Sequence, residues 1–143
     1  MAVSFKFYHD SALTQEITAG NPITATQDTL GTIAPVDKHI YFGSTATSTQ
    51  AQADSNPGVD QVYVDIVDAA SGSGEPDTAL KLATTQAGLD SATAGSSLNI
   101  GTTINSGSGS AVSVWLRIDD ATATVGSYTD LSLQTNTLLE TPV

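Results

Sequence analysis

The chain has 143 residues, with 15 acidic side chains against 4 basic ones, a formal net charge of −11 and a pI near 4.1. Lys6, Lys38, Lys81 and Arg117 are too scattered to form the clustered positive surface that phosphate recognition needs, which excludes nucleic acid and anionic membrane as partners. The length suits one domain able to fold without a metal or a disulfide, and the absence of Cys fits synthesis in a reducing cytoplasm.

Period-2 alternation of apolar and polar residues is the strongest local signal, and it predicts strands. Residues 3–8 set Val3, Phe5 and Phe7 against Ser4, Lys6 and Tyr8. No long apolar segment follows, so no signal peptide is expected, and no apolar run reaches the ~18 residues of a membrane helix. Shorter strands are expected near 13–18 and 23–26. Residues 1–30 are more polar and less regularly patterned than the rest. They read as an N-terminal arm lying on the main domain or on a neighbour, with residues 31–143 forming that domain.

Residues 38–42 place Ile40 and Phe42 opposite His39 and Tyr41. Residues 61–67 turn Val62, Val64 and Ile66 inward and Tyr63 and Asp65 outward. Short strands are expected near 79–83 and 98–100, and the Ala content of residues 84–94 makes that stretch the one candidate helix. Residues 111–119 give the longest alternation, with Val112, Val114, Leu116 and Ile118 inward and Ser113, Trp115, Arg117 and Asp119 outward. Residues 122–127 read as a hairpin loop, and residues 128–134 set Leu131 and Leu133 against Tyr128 and Asp130. Asn21-Pro22, Asn56-Pro57-Gly58, residues 71–74 and residues 105–110 carry turn chemistry. Many short strands with one wet face each predict an all-β, antiparallel sandwich or barrel.

The sequence shows no catalytic centre. His9 and His39 are far apart, with no carboxylate at a ligand or triad spacing, and no nucleophile-elbow, zinc-protease or phosphate-loop pattern is present. An enzyme is therefore not expected, and neither is a cofactor. Asp54, Asn56 and Asp60 beside Gly58 form the best metal candidate. An EF-hand loop would need Gly where Val59 stands and Glu where Asp65 stands, so an Asx-Pro-Gly turn is the simpler reading. Asp119-Asp120 is a second acidic pair at a strand end. Trp115 and Arg117 share the polar face of the best strand, and both residue types are enriched at binding hot spots. The alternative places Trp115 under a loop or the arm. Tyr128, after Gly126-Ser127, resembles a tyrosine corner.

The run Gly95-Ser96-Ser97-Leu98-Asn99-Ile100-Gly101, then Ala111 through Ile118, then Gly126-Ser127-Tyr128-Thr129-Asp130-Leu131, resembles the end of an immunoglobulin-like β-sandwich. Lys38-His39-Ile40-Tyr41-Phe42-Gly43-Ser44, with residues 54–60 beyond it, resembles small virion structural proteins of tailed bacteriophages, capsid decoration (cement) proteins first among them. The resemblance covers about residues 36–135. It implies a non-enzymatic protein, made in the host cytoplasm and placed on the capsid surface, that binds the major capsid protein and works as an oligomer, commonly a homotrimer. The expected contact residues are Trp115 and Arg117 on the sandwich and Phe5 and Tyr8 on the arm. Two other readings stand beside it. One is an Ig-like tail or head-fibre module. The other is a carbohydrate-binding β-sandwich using Trp115, Tyr63 and Tyr41.

Overall fold

The computed structural model describes residues 3–26, 35–70, 72–119 and 129–143. It is all-β, and its strands are β1 (Lys6–Tyr8), β2 (Val36–Gly43), β3 (Thr49–Ala53), β4 (Val62–Asp68), β5 (Leu80–Ala83), β6 (Leu98–Gly101), β7 (Thr103–Asn105), β8 (Val112–Ile118), β9 (Leu131–Thr135) and β10 (Leu138–Pro142). Every strand pair is antiparallel. Four strands form one sheet in the order β1-β2-β8-β5, and two three-stranded sheets have the orders β6-β4-β9 and β10-β3-β7.

The two small sheets are halves of one layer. Only Thr102 separates β6 from β7, and only Asn136 and Thr137 separate β9 from β10. Each outer chain thus runs from one half into the other, while residues 54–61 leave the central strand at the join and return to it. Gly101, at φ +123, marks the crease opposite an irregularity at Val62 and Tyr63. Asn136 stitches the crease shut. Its backbone N–H donates to the Tyr63 carbonyl (3.3 Å), its Nδ2 donates to the Gln61 carbonyl (3.1 Å), and its Oδ1 accepts from the Tyr63 N–H (3.0 Å).

One apolar cluster joins the layers, as in a β-sandwich. Ile40, Phe42, Val114, Leu116, Leu80 and Leu82 come from the four-stranded side, and Ala51, Val62, Val64, Ile66, Ile100 and Ile104 from the other. The expected core positions Val62, Val64, Ile66, Val114 and Leu116 are buried, and Val112, Leu131 and Leu133 pack on the cluster's margin. Within the four-stranded sheet the chain order first-second-fourth-third is that of strands A, B, E and D in an immunoglobulin sandwich. The creased layer departs from that scheme by placing its first segment, β3 with β4, in the centre, where the immunoglobulin CFG sheet places F.

The N-terminal segment lies on its own chain. Strand β1 pairs with β2 from Lys6↔Gly43 to Tyr8↔Tyr41. Phe5 and Phe7 pack on Phe42, with ring centroids 6.1 and 4.9 Å apart. Residues 9–17 then fold back, the Ile17 N–H donating to the Phe7 carbonyl at 2.9 Å. Leu13 (φ 57) is buried over Gly43, where a Cβ would sit 3.1 Å from its Cδ1. No strand forms at 13–18 or 23–26; only isolated bridges at Glu16, Thr18 and Asn21 do.

The candidate helix is a single 3-10 turn, Ala87–Asp90. Gly88 and the β-branched Thr84 and Thr85 weaken helix there, and the Thr85 hydroxyl takes the Gly88 N–H at 3.1 Å. The tyrosine-corner residue Tyr128, the loop 122–127 and Asp120 lie outside the described residues.

A carboxylate clamp ties the segment before β1 to the last strand. Glu140 accepts the Ser4 N–H (2.7 Å), the Ser4 hydroxyl (2.7 Å) and the Thr49 hydroxyl (2.9 Å), and Ser4 Oγ meets the fully buried Ser44 Oγ at 2.6 Å. Burial alone would raise the Glu140 carboxyl, but these bonds outweigh it and hold it below the ordinary carboxylate range. A lowered folded-state pKa contributes stability that is present above the unfolded value of about 4.3 and lost as pH falls through the folded value. Glu140→Gln should therefore destabilise the domain by about 1–3 kcal/mol near neutrality. The gap between variant and wild type in denaturant melts should close as pH falls below about 4.3 and through the lower folded value. Deleting residues 1–20 removes β1 together with buried Phe5, Tyr8 and Leu13, and should lower the melting temperature by more than Glu140→Gln does.

Candidate functional site

Burying Ile40, Phe42, Val114 and Leu116 turns the alternate residues of β2 and β8 to the outer face of the four-stranded layer. The register puts His39 opposite Trp115, Asp37 opposite Arg117 and Tyr41 opposite Ser113. On the far side of β8, Ala83 of β5 is opposite Trp115 and Lys81 is opposite Arg117. Two caps flank this face. Leu13 covers Gly43 at one side. At the other the 87–90 turn packs over β5, with Leu89 fully buried outside the inter-layer cluster and Gly88 against Ala83. Between the caps, Tyr41, His39, Trp115 and Arg117 remain half-buried.

The strip is an aromatic stack ending in an ionic cluster. His39 stacks on Trp115 with ring centroids 4.2 Å apart and planes 12° from parallel, and its other neighbour Tyr41 is 4.4 Å away. Tyr41 Oη and His39 Nδ1 are 3.1 Å apart. His39 Nε2 is buried, and among the described residues it has no hydrogen-bond partner. Burial lowers the His39 pKa, so the ring is neutral at pH 7.

Arg117 grips Asp37 through two bonds, Nε to Oδ1 at 2.8 Å and Nη2 to Oδ2 at 3.1 Å, and reaches Asp90 Oδ1 through Nη1 at 2.8 Å. The Arg117 guanidinium, aided by the Gln86 amide and opposed by burial, holds the Asp37 carboxyl below its ordinary range. Both carboxylates raise the Arg117 pKa further. The cation is thereby fixed in place, with its charge already matched.

The structure brings Trp115 and Arg117 together on this strip, with His39 between Trp115 and Tyr41. His39 was read from sequence only as an ordinary strand residue. Its parity with Tyr41 was legible, but its pairing with Trp115 depends on which strands are neighbours. Trp115 is neither fully exposed nor fully covered, because His39 takes one face of the indole. Phe5 and Tyr8 do not join the strip. Phe5 belongs to the inter-layer core, and Tyr8, on the outer face by parity, is buried beneath the returning segment. Tyr63 lies on the other layer, so it shares no platform with Trp115 and Tyr41.

The Asp54–Asp60 region is an exposed loop at the crease. Asp60 accepts the Ser55 hydroxyl at 2.7 Å, and the Asn56 carbonyl accepts the N–H groups of Val59 and Asp60. Among the described residues no three His, Cys, Asp or Glu side chains converge as a metal site would need. His9 lies with His39 at a cleft of about 180 Å³ edged by Pro22, Ile23 and Thr24, and its Nε2 meets the Asn21 carbonyl at 2.9 Å. No described helix is long and apolar enough to cross a membrane.

No family model, curated protein or solved structure matches this chain.

A histidine with a lowered folded-state pKa disfavours protonation in the native state, so its contribution to stability is lost as pH falls below the unfolded value of about 6.5. In an NMR titration the His39 ring protons should show a midpoint below about 6.5, with the Trp115 indole signals shifting in step because the rings are stacked.

Proposed function

We propose that this chain is a non-enzymatic virion structural protein of a tailed bacteriophage that binds the outer surface of the capsid and stabilises it. The observation that carries the reading is the Tyr41-His39-Trp115-Arg117 strip. It is a half-buried Trp and a charge-matched Arg mounted on paired strands. Side chains already held in one rotamer lose little entropy on docking, which favours a contact surface. Trp and Arg are also the residue types that dominate protein interfaces. The partner class comes from the resemblance of residues 36–135 to decoration proteins.

In this reading the strip contacts the major capsid protein. Each copy contributes a modest affinity, and a homotrimer engaging several capsid subunits multiplies it through effective concentration. The acidic surface keeps free copies soluble before assembly. An Ig-like tail or head-fibre module would use the same strip on a different partner.

The test is cosedimentation with expanded capsids of the phage that encodes this chain. The protein should bind and raise the temperature at which those capsids disrupt. Trp115→Ala should weaken binding by about tenfold or more, the effect of a hot-spot side chain. Because the indole is only half-buried, the same change should cost well under the ~3–5 kcal/mol of a fully buried Trp. Capsids that neither retain the protein nor gain heat resistance would rule the reading out.

A further inference from the structure

The two ring nitrogens of His39 are treated unequally. Nδ1 meets Tyr41 Oη at 3.1 Å, while Nε2 is buried and has no partner among the described residues. A neutral imidazole tolerates this, because it can donate from Nδ1 to the tyrosine and leave a bare acceptor at Nε2. An imidazolium cannot. Both nitrogens then carry a proton, and a charged N–H is enclosed with nothing to accept it.

The surroundings supply no counter-charge. On β2 the outward neighbours are Tyr41 and Asp37, and the Asp37 carboxylate is held by two bonds from Arg117 on β8. From β5 the outward charge is Lys81, opposite Arg117, and from the 87–90 turn it is Asp90, also bound to Arg117. From β1 the outward residues are Tyr8, opposite Tyr41, and Lys6, paired with Glu16 at 3.3 Å. The segment after β1 brings His9 to the cleft that His39 and Lys38 also line, and the Asp10 carboxylate already accepts the Thr14 and Gln15 N–H groups. Each of these carboxylates has its partner. Among the described residues the charges left without an ion pair here, on Lys38 and Lys81, are positive.

The stack itself pulls the other way. An indole face attracts a cation, and His39 lies on Trp115 with centroids 4.2 Å apart. That contact offers no acceptor to Nε2–H, so hydration of the freed ring outweighs it. The His39 side chain is half-buried and borders a cleft of about 180 Å³, so rotation of this one side chain brings the ring to water.

We propose that His39 is an acid-operated cover on Trp115: in mild acid the ring takes up a proton, leaves the stack and opens one face of the indole to solvent, with the sheets intact. The inference concerns the free chain and does not depend on the capsid reading.

Trp115 is the chain's only tryptophan, so its fluorescence reads the event directly. The test is acrylamide quenching of the full chain from pH of about 7.5 to about 5, a range that spans histidine titration, with circular dichroism recorded on the same samples. The quenching constant should rise about twofold on acidification, with its midpoint below about 6.5, while the strand signal stays constant. His39→Phe keeps an aromatic ring beside the indole with no proton to gain, and should stay flat at the low value. His39→Ala should be flat at the high value, and His9→Gln should titrate like the wild type. Should His39→Phe fail to fold, His39→Gln must likewise show no pH dependence. A quenching constant that stays level or falls in acid, because the imidazolium remains stacked, overturns the proposal. So does a rise that persists without His39, a rise that is lost in His9→Gln, or a rise that comes only with loss of the strand signal.

Discussion

Ile40, Phe42, Val114 and Leu116 cannot enter the core without sending His39, Tyr41, Trp115 and Arg117 to the opposite face of the same sheet. That coupling follows from the two-residue repeat of a strand, and the rest of the molecule is arranged around it. A one-residue slip between β2 and β8 would expose the apolar set and bury a guanidinium. The Arg117–Asp37 pair lies at the register position where such a slip would break it. A half-buried ion pair of this kind contributes little to net stability, but its two-bond geometry marks one alignment as correct.

The second layer solves a different problem. Three long segments span the whole molecule, and a sheet that stayed flat along that length would not follow the core. The crease at Gly101, Asn136 and the 54–61 excursion lets each half pack separately. Asn136, with Gln61, replaces the ladder bonds that the break removes. The exposed loop follows from this break, because the central strand must leave the sheet somewhere for its two halves to change direction. Asp54, Asn56 and Asp60 come together in sequence for that turn, and Asp60 is held by Ser55.

Charge divides the surface unevenly. The four-stranded face carries acids matched to its one arginine, and the creased face carries none along β3, β7 and the outward side of β10.

The alternation of 61–67 and 111–119 was legible because apolar contrast at period two survives any tertiary context. It announced an all-β chain, the inward set and the outward parity of Trp115 and Arg117. Strand β3, Thr-Gln-Ala-Gln-Ala, was missed, since Ala beside Gln gives too little contrast. So was β10, where Glu140 and Pro142 argue against a buried strand. The 13–18 stretch alternates as a strand would, yet it is a folded-back segment that Asp10 closes by accepting the Thr14 and Gln15 N–H groups. Local sequence thus determined which side of each strand is wet, a property of neighbouring residues in one chain segment. Tertiary structure alone decided that His39 stacks on Trp115, that Glu140 clamps Ser4 and that Asn136 closes on Gln61 and Tyr63, because each joins residues brought together only by the order of strands in the sheets.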